Sequence, residues 1–531
     1  MSPEIDEQAV QQQLLRLRES DEFSESTRAV ALLYFVVDEA LAGRGDRLSQ
    51  RIIARELYKR DSDFDPSTDP IVRVQASRVR RALEHYYLTT GKQDAIVITL
   101  QKGTYAPTIK TTQNTDADRS GLRLEQPLLL VVPFSHNGSG DSFEYIAEGL
   151  ASELAVTLDR FRQFRIMLLP DIPQSDTFIA EHLQRACQTA NCYTINGMVS
   201  QRNDSIQVRV RLEDVSTGVL CWSHEANSNN KTGNMDTFLD DFVKYTASVI
   251  AEEQGVIAQQ DFPKLEMVST DNTNTYEALL HLYYAERSGS LGQYQKAILA
   301  LQQALNDSPD DGRLWTGLAR ICTTSNGLEL LPELKIPIGE VVNYAHKGVH
   351  LGPADQDAWC ILAYAETIAG NLQGGREAVL TALAKNPDSL YFRDMIGYLL
   401  ILQGDWEQGA ILSRDAVRSN PYVRDITFSG LWFEAFHRED FKDAYAWSQR
   451  YTNKNIFWAH IMDQTALAGL GELEMAQRSA ENLLLTRPDF MTIGHRLIRH
   501  FVKFEPLARR IEQSLELSGI SISNRTDVLQ N

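Results

Sequence analysis

The clearest periodic pattern in the chain predicts a helix that begins at Asp69-Pro70. With about 100° per residue, six apolar side chains gather on one face, which we expect to be buried. These are Val72, Ala76, Val79, Leu83, Tyr86 and Tyr87. Asp69 suits the N-cap, and Pro70 suits the first helical position, where a backbone N–H is not needed. Away from this stripe, four arginines fall within nine residues, namely Arg73, Arg78, Arg80 and Arg81. The pattern predicts one buried face and one arginine-rich face.

The segments around this helix predict two further helices and a hairpin. Apolar spacing predicts an amphipathic helix from Phe23 to Leu41 and a short helix that is capped by Ser49. Alternation over residues 96–100 predicts a strand, Lys102-Gly103 a turn, and residues 104–107 the returning strand. Three helices and a hairpin predict a winged helix-turn-helix domain over residues 23–112. Its third helix would enter a DNA major groove, and its wing would reach phosphates.

Strand and helix patterns alternate after a polar linker at residues 113–124. Buried strands are predicted near residues 128–132 and 164–169, each followed by a helix, and a meander of strands then runs to Glu225. A last helix closes this segment. The order predicts a mixed α/β sheet domain over residues 125–260, with helices covering the sheet.

Prolines recur at an interval of 34 residues in the C-terminal half. Pro353, Pro387 and Pro421 keep this interval, as do Gly370 and Gly404. An insertion of ten residues near 328–337 lengthens the preceding interval. Thirty-four residues with helix–turn–helix patterning is the tetratricopeptide period. Residues 261–531 are therefore predicted to form an all-α solenoid of about six repeats with a terminal cap, whose concave surface binds a peptide or protein partner. The fold class is multidomain α+β, with residues 1–22 as an N-terminal extension.

The charge distribution favours DNA as a ligand of the first domain. The chain carries a net charge of −19, yet residues 71–110 hold seven basic and two acidic side chains. A basic patch on an acidic protein suits selective contact, because the acidic remainder repels random phosphate. An arginine-rich helix face is also often plain solvated surface, and winged helices also serve as protein–protein modules. Both alternatives stay open on the residues alone.

Other candidate sites are weaker. Gly138-Ser-Gly-Asp141 follows a strand and precedes a helix, but it lacks the phosphate-loop patterns, so we interpret it as a tight turn. His346 and His350 have a zinc-compatible spacing without an evident third ligand, which favours a solvated surface. We assign no catalytic residue, cofactor or metal, and we do not expect an enzyme.

Cysteine usage and hydropathy favour a cytoplasmic location. The five cysteines are odd in number and lack metal-binding spacing, so we predict reduced thiols. No apolar run approaches the ~18–20 residues of a membrane helix, and the acidic start resembles no signal peptide.

Two segments resemble known families. The sequences S-R-V-R-R-A-L and I-V-I-T-L-Q-K-G-T-Y-A-P resemble the end of an OmpR/CadC-type winged-helix domain, although a helix replaces the small antiparallel sheet at its start. L-L-V-V-P-F-S-H-N-G-S-G-D and I-A-E-G-L-A-S-E-L resemble a TolB amino-terminal-like module, which implies a fold and no activity. The winged-helix resemblance implies that Arg73, Ser77, Arg78, Arg80 and Arg81 face DNA, while Gly103 and Tyr105 shape the wing. Lys102 at the turn is predicted to reach phosphate, and Thr104 completes the predicted DNA-binding residues.

Together the three parts resemble a bacterial one-component transcriptional regulator. The winged helix would read double-stranded DNA, while the α/β and repeat domains would bind a protein partner or effector. A homo-oligomer stays open, and no membrane contact is expected. Two alternatives remain: a repeat scaffold or adaptor that does not bind DNA, and a regulatory subunit related to adenylate-cyclase-type signalling proteins.

Overall fold

The structure is a computed structural model in which the chain divides into two compact units. Unit 1 comprises residues 1–122 and 290–295, and unit 2 comprises residues 123–289 and 296–531. The described residues are 7–24, 27–59, 71–88, 90–91, 94–100, 104–111, 124–137, 141–169, 191–202, 205–228, 235–267, 273–331, 334, 336–385 and 392–522.

Unit 1 consists of helices followed by a hairpin. The helices are α1 (Glu7–Glu19), α2 (Asp21–Ser24), α3 (Thr27–Leu41), α4 (Gln50–Glu56) and α5 (Ile71–Leu88), with a 3-10 turn at Gly45–Arg47. Strands β1 (Ile96–Leu100) and β2 (Pro107–Thr111) pair antiparallel, with Leu100 opposite Pro107. The apolar stripe of α5 is buried as the periodicity predicts, because Val72, Ala76 and Val79 are almost inaccessible.

Helix α1 belongs to the core of unit 1, whereas the sequence predicted an extension over residues 1–22. Val10, Leu14 and Leu17 are fully buried in the same apolar cluster as the α5 stripe. Asp94, just before β1, accepts hydrogen bonds from Gln13 of α1 at 2.6 Å and from Tyr86 of α5 at 2.7 Å. The carboxylate thereby joins α1, α5 and the start of the hairpin.

Unit 2 contains the predicted small mixed sheet. Its strands are β3 (Leu128–Val131), β4 (Ser135–Asn137), β5 (Arg165–Leu168), β6 (Cys192–Arg202), β7 (Ser205–Asp214) and β8 (Leu220–Asn227). The order is β5-β3-β6-β7-β8, parallel from β5 to β6 and antiparallel onward, and β4 pairs parallel with β6. Helices α6 (Asp141–Asp159) and α7 (Met235–Ala251) bury Leu154 and Phe242 in the cluster that holds Val131 and Val210 of the sheet.

Antiparallel helix pairs follow the sheet along the chain. After α8 (Val256–Asp261) and a 3-10 turn at Phe262–Met267, the first helices of the pairs are α9 (Thr275–Ser288), α11 (Gly312–Leu328), α13 (Gln356–Ala369), α15 (Arg393–Leu402), α17 (Asp425–His437), α19 (Phe457–Gly469) and α21 (Phe490–Phe501). The second helices are α10 (Leu291–Asp307), α12 (Ile338–Leu351), α14 (Leu372–Lys385), α16 (Trp406–Ser419), α18 (Phe441–Arg450), α20 (Leu473–Thr486) and α22 (Glu505–Leu517). This array is consistent with tetratricopeptide-like repeats.

Equivalent residues make equivalent contacts in successive repeats. Asp311 and Asp355 cap α11 and α13, and the indole N–H groups of Trp315 and Trp359 donate to the carbonyl oxygens of residues 309 and 353. Gly370 and Gly404 adopt positive φ of 92° and 86° at the turn inside each pair, where a side chain would be strained. The predicted insertion lies between α11 and α12.

The array winds back on itself. The carbonyl oxygen of Leu328 in α11 accepts a hydrogen bond from Arg487 at a separation of 159 residues, and Gly327 contacts His500 of α21 at a separation of 173. These separations correspond to about five 34-residue repeats. A superhelical turn of about five repeats therefore brings α21 against α11, and Phe501 packs where any side chain on Gly327 would stand.

Candidate functional site

The described arginines of α5 differ in exposure and in the hydrogen bonds that their side chains make. Arg73 and Arg78 are exposed, and neither pairs with an acidic side chain among the described residues. Ser77 is half-buried beside them. The side chain of Arg81 lies outside the described residues, as do the predicted wing residues Lys102 and Gly103.

Arg80 donates hydrogen bonds inside unit 1, and its predicted DNA contact stays a prediction. Its Nε donates to the carbonyl oxygen of Leu100 at 2.9 Å, and its Nη2 donates to that of Thr104 at 3.0 Å. Ile98, two residues earlier on β1, directs its N–H away from β2 to the hydroxyl of Tyr87 on α5, so by the antiparallel alternation the carbonyl of Leu100 faces away from β2 as well. The two hydrogen bonds of Arg80 hold the hairpin onto α5.

Tyr105 and Thr104 shape the return of the hairpin. Tyr105 is half-buried and hydrogen-bonds Gln50 at the start of α4. Burial raises the pKa of Tyr105, while the nearby Arg80 and Arg73 oppose that rise. The Thr104 hydroxyl accepts from the backbone N–H of residue 106 at 3.1 Å. The beginning of α4, the Arg73 end of α5 and the hairpin thus meet around Tyr105.

Three further arginines of unit 1 were not singled out from the sequence. Arg47, Arg51 and Arg55 follow one another at intervals of four residues, and all three are exposed. Arg55 pairs with Glu56 at 3.1 Å, whereas Arg51 has no acidic partner among the described residues. The four-residue interval on a helix was the available signal, because it places side chains on one face.

Unit 2 holds arginines in the opposite environment. Arg320 of α11 is 4% exposed and donates to Glu253 at 2.6 and 2.7 Å and to Glu286 of α9 at 2.8 and 2.5 Å. Arg424, which caps α17, donates to Asp394 at 2.8 and 2.5 Å. Glu253 lies 3.5 Å from Arg424, so it contacts both guanidinium groups.

This network joins the sheet module to the repeat array. Glu252 and Glu253 form the turn after α7, and Glu252 accepts a hydrogen bond from Asn420 at 3.0 Å. Burial lowers the pKa of Arg320, but Glu253 and Glu286 outweigh burial and hold that pKa well above its usual value. Residues 123–260 therefore lie in the same compact unit as residues 261–289 and 296–531, and the predicted domain boundary at residue 260 stays a prediction.

The repeats turn their first helices inward and bury them. Eleven of the fourteen residues of α13 and eleven of the thirteen of α19 are buried, against four of fourteen in α14 and three of fourteen in α20. Trp432 of α17 stacks on Phe436 with ring centroids 5.0 Å apart, and Trp458 meets Phe501 edge-on at 5.7 Å. The inner surface predicted to bind a partner is thus occupied by the array's own side chains.

The remaining candidates give no chemical site. His346 and His350 are exposed, and His346 lies 3.3 Å from Glu366. Within the described ranges, His, Cys, Asp and Glu side chains do not gather in groups able to hold a metal ion. Residues 138–140 of the predicted tight turn lie outside those ranges. The prediction of reduced cysteines is wrong for Cys192, which is disulfide-bonded, whereas Cys221, Cys322 and Cys360 are free. None of the helices searched in the described parts is long and apolar enough to span a bilayer.

Comparison with solved structures gives weak similarities. A monomeric IFIT1 mutant with Gppp-AAAA is 15% identical with a TM-score of 0.28, over 56% of this chain and 62% of that chain. The APC/C hetero-tetramer Cut9-Hcn1 is 12% identical with a TM-score of 0.34, over 96% and 91% respectively. No protein-family model matches the sequence, and no curated protein matches it. The OmpR/CadC-type and TolB-like resemblances therefore stay predictions, and the repeat array rests on its own geometry.

Proposed function

We propose that this protein is a repeat scaffold that binds a protein partner on the outer surface of its array. The inner helices are buried by the array's own contacts, so the outer helices and their turns are the surface left for a partner. Apolar side chains concentrate at the turn from α19 to α20. Leu470, Leu473 and Met475 are 42%, 44% and 43% exposed within six residues. This outer apolar turn carries the proposal, because apolar clusters rimmed by charge are typical of protein interfaces.

Photo-crosslinking of the intact protein in its own cells tests the proposal. A photoreactive amino acid at position 474 should crosslink to a defined partner, and Leu473→Glu with Met475→Glu should reduce that product about tenfold, since buried apolar anchors dominate interface energy. Leu299→Glu is the matched control, because Leu299 is similarly exposed, at 46%, but lies on a different helix, α10. Equal crosslinking in the double variant and in wild type would contradict the proposal.

A second candidate function, duplex DNA binding by unit 1, is favoured by one specific observation. Arg51, Arg73 and Arg78 are exposed and lack an acidic partner among the described residues. Guanidinium groups without a carboxylate partner can contact phosphate, unlike those of Arg320 and Arg424 in unit 2, which are paired with carboxylates.

Salt-dependent titration of the full chain with a fluorescent duplex tests this candidate. Arg73→Ala with Arg78→Ala should reduce the slope of log affinity against log salt by about two, since each phosphate contact contributes about 0.9. Arg55→Ala is the control, because Arg55 already pairs with Glu56. No measurable binding at low salt, or an unchanged slope, would exclude these two arginines as the contact.

A further inference from the structure

The turn after α7 places an excess of carboxylates inside unit 2. Two guanidinium groups, Arg320 and Arg424, face five acidic side chains. These are Glu252 and Glu253 of the turn, Glu286 of α9, Asp357 of α13 and Asp394 in the first turn of α15. We call this group the acidic junction, since it lies where the sheet module meets the repeats.

The two arginines are already committed to three of the carboxylates. Arg320 pairs with Glu253 and Glu286, and Arg424 pairs with Asp394 and approaches Glu253. Each guanidinium presents its donors in a fixed fork, so these pairs use most of its capacity.

The other two carboxylates lack a cationic partner among the described residues. Glu252 is 7% exposed, and the donor it meets is the neutral amide of Asn420. Asp357 is half-buried, and its Oδ1 is inaccessible and has no hydrogen-bond partner in the parts of the chain that the structure describes. A buried carboxylate without a cation is costly when ionised and much less so when it carries a proton.

We propose that the acidic junction is a proton-linked clamp between the sheet module and the repeat array. While Glu252 and Asp357 hold protons, the turn after α7 stays in the array. As pH rises and they ionise, repulsion from the neighbouring carboxylates weakens its hold. Loss of these protons therefore loosens the end of α7 from α11 and α13.

The groups around the two carboxylates are defined. Asp357 faces Arg320 of α11, Glu253 of the α7–α8 turn, Asp355 at the start of its own helix and Arg424 at the start of α17. Glu252 faces Asp394 of α15, Arg424, Glu253 and Arg320. Tyr283, Cys360, Arg313 and Arg162 complete the surroundings.

The direction of the effect follows from burial. Burial raises the pKa of Asp357 to about 7 and that of Glu252 well above its usual value. Both groups are more acidic in the unfolded chain, so the folded form binds protons more tightly. The contribution of Asp357 to stability is complete below the ordinary carboxyl pKa and is lost as pH rises through about 7, and the contribution of Glu252 is lost in the same direction.

Hydrogen exchange of the intact chain at pH 6 and pH 8 tests the clamp. At each pH, the exchange rate of residues 249–255 in wild type is divided by that in Asp357→Asn, which cancels the intrinsic effect of pH on exchange. We expect this ratio to rise about tenfold from pH 6 to pH 8, because one group with a pKa near 7 loses its proton in that interval. Asp310→Asn, at an exposed position before α11, is the control and should give the same exchange rates for residues 249–255 as wild type at both pH values.

A second variant keeps the test independent of one substitution. Glu252→Gln removes the other ionisable group while preserving an oxygen that accepts from Asn420, so the thermal midpoint should fall less between pH 6 and pH 8 than in wild type. Parallel pH dependence in wild type and both variants would overturn the proposal. So would a variant that loosens residues 249–255 equally at both pH values.

Discussion

The inner and outer helices of the repeat array contrast in what their side chains contact. Helices α13 and α19 bury residues around nearly their whole circumference, including polar ones such as Thr367 and Gln464. Helices α14 and α20 bury mainly small residues on one side and expose the rest. One repeat pattern therefore produces a sealed core on one side and an accessible surface on the other.

The difference teaches that a helical repeat does not by itself define which face binds a partner. A concave surface is the usual expectation for such arrays. Here the superhelix closes within about five repeats, and the turn after α7 enters the inside with Glu253 between Arg320 and Arg424. Arg320 and Arg424 inside the array stabilise the fold, whereas Arg51, Arg73 and Arg78 of unit 1 are exposed and have no acidic partner among the described residues.

Removing an inner guanidinium should have the largest effect. Arg320→Ala would leave Glu253 and Glu286 buried without their shared cation, and breaking a buried pair costs about 3–5 kcal/mol. Chemical denaturation of the full chain measures the free energy of unfolding. Arg418→Ala, an exposed member of a pair with Asp415, should change it by less than about 0.5 kcal/mol. Equal losses in the two variants would break the contrast.

A substitution in the seam between the inner and outer helices should have an intermediate effect on the free energy of unfolding. A Cβ on Gly409 of α16 would lie 2.6 Å from the carbonyl oxygen of Gly397 in α15, so Gly409→Ala forces the two helices apart. Overpacking of this kind costs about 1–3 kcal/mol. Gly339→Ala on α12, where the added carbon meets open space, is the control and should be neutral or slightly stabilising. A tolerated Gly409→Ala would show that the seam is not closely packed.

An outer substitution should have the smallest effect on stability. Ile411 of α16 is 60% exposed, so Ile411→Glu removes little buried apolar surface. We expect the free energy of unfolding to change by no more than about 0.5 kcal/mol. A loss above 2 kcal/mol in the same denaturation experiment would mean that the outer face is covered in the folded protein.

Local patterns in the sequence predicted much of the fold. The apolar stripe of α5, the small mixed sheet and the 34-residue helix pairs all depend on neighbouring residues, which periodicity reports. Even the insertion between α11 and α12 follows from a lengthened proline interval.

The sequence predicted neither the closure of the array nor the acidic junction. The closure depends on contacts between residues 159 and 173 apart, which follow from small rotations that accumulate over several repeats. The acidic junction joins residues 67 and 168 apart. In the candidate DNA-contacting site, Arg80 and Arg78 look alike in sequence. Which guanidinium reaches the hairpin depends on the register of β1 and β2 and on their packing against α5, which local sequence patterns do not give.

Hydroxyl-radical footprinting of the intact, folded protein tests the sealed inner face most directly. We expect Trp432 and Trp458 to resist oxidation, because they are 0% and 6% exposed. Met475 and Phe504, both 43% exposed, should be modified readily. Unfolding the chain should abolish the difference between the two tryptophans and the exposed residues. Oxidation of Trp432 and Trp458 in the folded protein at rates like that of Phe504 would contradict this expectation and would mean that the array has an open inner groove.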